Sequence, residues 1–348
     1  MVAPKVFFST DAGAPVLNGQ LGSLINVLDA CLVNGYGSRA AAGWTKEFTG
    51  TNRAAYRMGT ADGTANRHYL RVLDDGTGLD GRHARLFGYR TMTDVNTGTF
   101  QYPWPALGLS GALVFKANTS DANARPWAIF ATAKSVWMFS ETSASLVGPT
   151  IQWNNGANVS GNFSGFFFGQ YDKYFTDHDD NVMLIGSHYS TQGADATTAH
   201  TLLHRLNPVY PLLDNNRGRY IARHPYLVDF PVAGDLVQAN YISNYQSTNA
   251  NIGFSRGNPG GSLPLVDGKI RFSPIEIVSV SSGLYELIGK LPGAFAISVG
   301  AGFGNVAGVI DGTGDFAGQQ LFFYHSVAAN APNGTGVSSA IYLNITDW

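Results

Sequence analysis

The stretch from Leu109 to Asp180 constrains the fold more than any other part of this 348-residue chain. It carries Ala124-Arg125-Pro126-Trp127-Ala128-Ile129-Phe130, Val136-Trp137-Met138-Phe139-Ser140, Phe166-Phe167-Phe168-Gly169-Gln170-Tyr171 and Tyr174-Phe175-Thr176-Asp177-His178-Asp179-Asp180. These aromatic and β-branched runs show little helical period and are broken at short intervals by Gly, Asn, Pro and Asp, so strand follows strand. The pattern predicts a β-sandwich and speaks against a nucleotide-handling α/β enzyme.

The ions that support solvent-facing helices are scarce. Glutamate occurs only at Glu47, Glu141, Glu276 and Glu286, and charged residues make up 13% of the chain, against about a quarter in an average globular protein. With 42 glycines as well, the chain is expected to be mainly β: an α+β N-terminal module with one clear helix, then antiparallel β-sandwich-like regions. A net charge of −2 and arginines scattered singly give no field for nucleic acid. Cys31 is the sole cysteine, which excludes an intrachain disulfide and any multi-thiolate metal site. The opening Met1-Val2-Ala3-Pro4-Lys5-Val6-Phe7-Phe8 lacks a sustained apolar core, and no run approaches the ~18 apolar residues of a membrane span. A soluble protein made in a cytoplasm, with no membrane partner, is expected.

Leu21, Leu24, Ile25, Leu28, Cys31 and Leu32 fall at helical spacing, with Asn18 or Ser23 to cap the start and Asn34-Gly35 as a left-handed stop. Cys31 then lies on the buried stripe as a structural thiol. Strands are expected at 44–48, 54–58, 68–73, 84–89 and 100–104, completing a module over 1–108. A second antiparallel set, read as one continuous sheet, runs through 113–116, 127–131, 136–140, 165–170 and 182–187, within a region spanning 109–230. A short helix is expected at 196–206. The region 231–348 is Gly- and Asn-rich, with long loops at 240–264 and 300–318 and strands at 270–272, 275–280, 294–299, 320–324 and 340–345; one more is expected at 226–230.

Several patterns imitate chemistry. Gly253-Phe254-Ser255-Arg256-Gly257, with Asp311 or Asp315 and then His325, has the order of a hydrolase triad. Asn258-Pro259-Gly260-Gly261 cannot start the helix that a nucleophile elbow needs, so a surface loop is expected. Gly302, Gly304 and Ala307 resemble a dinucleotide fingerprint, but Val309-Ile310-Asp311-Gly312-Thr313-Gly314 is strand and turn material. Asp177-His178-Asp179-Asp180-Asn181 lacks the glycine and the bidentate glutamate of a calcium loop and reads as an acidic turn. His200 and His204 lack the intervening glutamate of a zinc protease. Trp104, Trp127, Trp137 and Trp153 could stack on sugars, although strand-centred Trp127 and Trp137 are expected in the core. No catalytic, cofactor-binding or metal-ligating residue is assigned, and no cofactor is expected.

One resemblance adds to this reading. Phe7-Phe8-Ser9-Thr10-Asp11-Ala12-Gly13-Ala14-Pro15, Gly19 to Ile25, Val27 to Gly37 and Ala41-Ala42-Gly43-Trp44-Thr45-Lys46 resemble a widespread family of virion structural proteins of tailed bacteriophages. So do Phe87 to Val95, Ala124-Arg125-Pro126-Trp127 and Gly289-Lys290-Leu291-Pro292-Gly293. The similarity is strongest over residues 1–185, and the Gly/Ala-rich ending after Phe295 departs from it. The resemblance implies a non-enzymatic tail or baseplate component, made in the host cytoplasm and located in the virion, whose partners are other virion proteins or its own copies. It carries over no active-site residue. The alternatives are a receptor- or glycan-binding module of the tail tip, a capsid decoration protein, or a depolymerase with two facing Asp carboxylates.

Overall fold

The computed structural model describes residues 2–61, 67–77, 80–102, 112–117, 119–141, 146–147, 152–153, 163–174, 181–185, 187–188, 240–243, 273–281, 284–299, 306–327 and 338–348. Strands are numbered β1 to β21 along the chain, and all paired strands are antiparallel. A central sheet of five strands runs in the order β1 (Lys5–Phe8), β8 (Trp127–Ala131), β9 (Ser135–Glu141), β12 (Phe163–Gln170) and β14 (Val182–Ile185).

A first outer sheet contains β2 (Thr45–Gly50), β3 (Arg53–Arg57), β4 (Tyr69–Leu73), β5 (His83–Met92), β7 (Ala112–Phe115) and β15 (Ser187–His188), in the order β15-β7-β5-β4-β3-β2, with β6 (Gly98–Tyr102) also paired to β5. The second outer sheet runs β16 (Asn240–Ser243), β17 (Ser273–Ser281), β18 (Leu284–Val299), β21 (Ser338–Asn344), β20 (Gln320–Val327) and β19 (Val306–Asp311); β13 (Asp172–Lys173) adds to β18. A separate two-stranded ribbon joins β10 (Leu146–Val147) to β11 (Gln152–Trp153).

The central sheet is covered on both faces, which explains its sequence. Trp127, Ile129, Val136, Met138, Phe166, Phe168, Val182 and Leu184 join one core with the first outer sheet (Tyr56, Leu70, Val72, Leu86, Val114). Their strand neighbours Ala128, Phe130, Trp137, Phe139, Phe167, Met183 and Ile185 join a second core with Ile275, Leu291, Phe322 and Leu343 of the second outer sheet. A strand with no wet face has no reason to alternate, so β8, β14 and the Val136–Phe139 stretch of β9 read as unbroken apolar runs, and every residue in the three strands is buried. At about 1.5–3 kcal/mol for each large apolar side chain removed from water, these two cores dominate the stability. Gly169 (φ 146°) lets β12 cross β9 closely: a Cβ there would lie 2.3 Å from the Ser135 Cα.

The helix is present but shorter than its spacing suggests. α1 (Ser23–Leu28) widens into a π-helical turn over Asp29–Asn34 and stops at Gly35, whose φ of 77° is the expected left-handed exit. The carbonyls of Cys31 and Leu32 accept from the N–H groups of Ala42, Gly43 and Trp44, which draws the last turn out of α geometry. Leu24, Ile25, Val27, Leu28, Cys31 and Leu32 enter the first core. Leu21 does not: it precedes the helix and is 47% exposed. Gly22 occupies the capping position (φ 79°) in place of Asn18 or Ser23, and no local side chain caps the helix. Asp74, fifty residues on, accepts the Leu24 N–H at 2.9 Å.

The sheets do not follow the divisions at 108 and 230. β1 pairs with β8, β7 and β15 join the first outer sheet, and β13 pairs with β18. The set expected to form one sheet over 113–187 is therefore divided between two layers, because β7 continues the β5 ladder while β8, β9, β12 and β14 build the centre. Within the expected 300–318 loop lies β19, held by backbone pairing to β20 from Val306–His325 to Asp311–Gln320. The expected helix at 196–206 and the strands at 226–230 and 270–272 lie outside the described residues. Val2 and Trp348 exchange both backbone hydrogen bonds at 3.1 Å.

Candidate functional site

The outward face of the first outer sheet gathers four arginines over a bed of aromatic rings. Alternation along three adjacent strands produces it: Arg53-x-Ala55-x-Arg57, Tyr69-x-Arg71-x-Leu73 and Arg85-x-Phe87-x-Tyr89 all point the same way. The register lines these up across β3, β4 and β5 in three rows: Arg57, Tyr69 and Tyr89; Ala55, Arg71 and Phe87; and Arg53, Leu73 and Arg85. Ala55, Tyr69, Leu73, Phe87, Tyr89 and Met92 form a separate buried cluster, with Phe48 of β2 at its margin. The four arginines above it are partly buried, and the Nε atoms of Arg57 and Arg71 are fully covered.

Rings lie beneath two of the guanidinium heads. The Arg57 guanidinium lies 5.2 Å from the Tyr69 centroid and that of Arg71 lies 5.6 Å from Phe87, a cation–π geometry that leaves the in-plane N–H edges available to oxyanions. Arg53 pairs with Asp75 at 2.5 Å, and Arg71 donates to Asn96 at 2.8 Å and to the Tyr89 hydroxyl at 3.3 Å. Among the described residues, Arg57 and Arg85 make no hydrogen bond or ion pair through their guanidinium groups. The arginines that look scattered along the sequence are thus assembled in space, and among the described residues only Arg53 of the four has an ion pair.

Behind this sheet lies a buried ion pair. Lys116 Nζ donates to Asp74 Oδ1 at 2.5 Å, to the Gln20 carbonyl at 2.6 Å and to Ser23 Oγ at 3.2 Å, and both charged side chains are 0% exposed. Burial pushes Asp74 up to about 6 and pulls Lys116 down, each against the attraction of the other. Nearby, His83 packs edge-on against Phe115 with centroids 4.0 Å apart and its Nδ1 meets Asp80 Oδ1 at 2.9 Å; burial lowers it to about 4.

These shifts have opposite consequences for stability. Asp74 titrates near 3.8 when unfolded and near 6 when folded, so the folded state holds an extra proton in that interval and stability falls as pH rises through it. Asp172, also raised by burial, adds to the fall. His83 goes from 6.5 unfolded to about 4 folded, so the unfolded state holds the extra proton and stability rises with pH over the same interval. Each slope is at most about 1.4 kcal/mol per pH unit. Asp11, Asp75 and Asp80, raised by burial but lowered further by hydrogen bonds from Arg39, Thr77 and Arg82, titrate below this window. Urea unfolding of the wild type at pH 4, 5 and 6 should therefore give nearly level stability, and His83→Gln should lose stability as pH rises. A level profile for the variant would contradict the assignment.

The motifs weighed in the sequence are placed as follows. Trp127 and Trp137 are fully buried on opposite faces of the central sheet, so they cannot share a sugar platform. Cys31 is buried, and burial raises its thiol well above its usual value, as a structural role requires. Asp311 ends β19, Asp315 lies in the following 3-10 turn, and His325 sits opposite Val306 in the ladder. Residues 253–257, 302–304, 177–180, Trp104, His200 and His204 lie outside the described residues. Among the described residues there is no cluster of three or more metal-ligating side chains, and no helix is long and apolar enough to cross a membrane. No protein-family model and no curated protein matches the chain.

Proposed function

We propose that this chain is a non-enzymatic structural subunit of a tailed-bacteriophage virion, in the tail or baseplate, acting through interfaces with other virion proteins. The observation that carries the reading is where the family-like residues sit: they form the joints of the scaffold. Asp11 receives Arg39 at 2.7 and 3.0 Å, the Tyr36 hydroxyl at 3.0 Å and the Phe8 N–H at 3.0 Å. Trp44 donates to the Thr132 carbonyl at 2.7 Å and Trp127 to the Pro15 carbonyl at 3.1 Å. Buried Arg125 ties Asn123, Thr119 and Asp121 together at 2.8–2.9 Å. The segments that resemble that family thus lock this β scaffold, which supports a structural role, and the arginine face gives the scaffold a surface for partners.

Quantitative mass spectrometry and immunogold labelling of gradient-purified particles, from an infection producing this chain, test the proposal. Co-purification in fixed stoichiometry with the major capsid protein, and gold on the tail, are expected. A chain left behind in the soluble lysate would overturn it. One observation favours glycan recognition at the tail tip as a second reading. Phe100 is 41% exposed, adopts a φ of 54° that is unusual for an aromatic residue, and lies 5.5 Å beneath the Arg90 guanidinium.

A further inference from the structure

The three-layer stack places the arginine face on one side of the molecule and the second outer sheet on the other. That second sheet ends in a hairpin of opposite character. β19 closes with Val309, Ile310 and Asp311, and the turn that follows carries Asp315; Val309 and Ile310 are 40% and 39% exposed, and both aspartates are exposed. Asp311 accepts only a 3.4 Å bond from Gln320, and neither carboxylate has a cationic partner among the described residues. Among the described residues, Arg57 and Arg85 at one end of the stack and Asp311 and Asp315 at the other thus have no ion pair.

We propose that the occupant of the arginine face is a second copy of this chain, which presents its β19–β20 hairpin so that Asp311 and Asp315 meet Arg57 and Arg85. The contact is head-to-tail: two different surfaces pair, and the resulting pair keeps one of each kind free. Repetition gives a ring if the rotation between copies closes and a filament if it does not. The chemistry suits the match, because guanidinium groups such as that of Arg57 over Tyr69 can offer their terminal N–H groups to carboxylates, while Val309 and Ile310 leave water as the tip docks.

Size sets the strength. Three strands about 4.8 Å apart and three outward residues per strand make a patch of roughly 300 Å², well under half of what one partner contributes to a stable interface of standard size. A single contact is therefore weak and salt-sensitive, and it gains strength when many copies are held in one assembly. The contact rests on reading the chain as an assembly subunit, but not on its placement in a virion.

Sedimentation velocity on the full chain tests it. The wild type should associate reversibly at ~20 mM salt, with affinity falling at least about tenfold at ~300 mM as the charges are screened. Arg57→Glu with Arg85→Glu should abolish association, and so should Asp311→Arg with Asp315→Arg. Mixing the two charge-reversed proteins should restore it, because each then meets a complementary partner, and that recovery also shows that both are folded. A wild type that is monomeric at low salt overturns the contact. So does association that survives either reversal, or a mixture that stays monomeric while circular dichroism shows both variants folded. A monomeric chain found in purified particles would sink this contact alone; association by a chain absent from particles would sink the virion placement alone.

Discussion

Asp74→Ala is expected to lower the free energy of unfolding by about 3–5 kcal/mol, the cost of leaving one member of a buried ion pair alone. Two losses coincide. Lys116 would keep its bonds to the Gln20 carbonyl and Ser23 Oγ, but its charge would remain at 0% exposure with no anion. The Leu24 N–H, which has only the Asp74 carboxylate as its cap from outside the helix, would be orphaned in a buried position. The pair itself is not assigned that energy. Asp74→Leu combined with Lys116→Met should cost clearly less than either single change, since it removes the charges together. Equilibrium urea unfolding of the two single variants and the double variant checks this. Additive losses, or an Asp74→Ala cost below about 1 kcal/mol, would show that the charges are not coupled as the geometry implies.

Phe130→Ala should cost a similar amount, about 3–5 kcal/mol, for a different reason. Its ring lies 4.8 Å from Phe322 of the second outer sheet, 5.8 Å from Phe8 and 6.1 Å from Phe139. The cavity left behind would be walled by rigid sheets on both sides and could collapse little. Ile129, the adjacent residue, packs in the other core, and Ile129→Ala should cost about 2–5 kcal/mol. The double variant should match the sum within about 0.5 kcal/mol, because the central sheet separates the two cavities. Strong non-additivity would mean that the two cores communicate through the backbone of β8.

Much of the fold was legible because local residue choice and burial agree. Trp127 to Ala131 is a strand at the same bounds in sequence and structure, and the Asn34-Gly35 stop ends the helical segment where expected. The sequence reading failed where partners are distant. β1 has four residues and follows a proline, so only its pairing with β8 makes it a strand. Val306 to Asp311 contains Gly308 and looked like loop until paired with β20. The helix cap could not be read locally, since its acceptor comes from Asp74. The arginine face left a signal that was passed over: arginines spaced by even numbers along β3 and two from an aromatic residue in β4 and β5 mark one side of each strand, but only the register shows that the three sides coincide.

The doubly covered central sheet also dictates when the protein can become safe in a cell. Its last strand ends at Ile185, while the layer that covers its second face is built largely from Ser273–Asn344. A ribosome adding about 5–20 residues per second needs roughly 10–30 s to make the intervening chain. During that interval Phe130, Trp137, Phe139 and Phe167 have no lid, on a nascent chain that shares its polysome with identical copies. The stage most exposed to aggregation is therefore late in translation, and slowing elongation after residue 185 should lower the soluble yield far more than slowing it before residue 127.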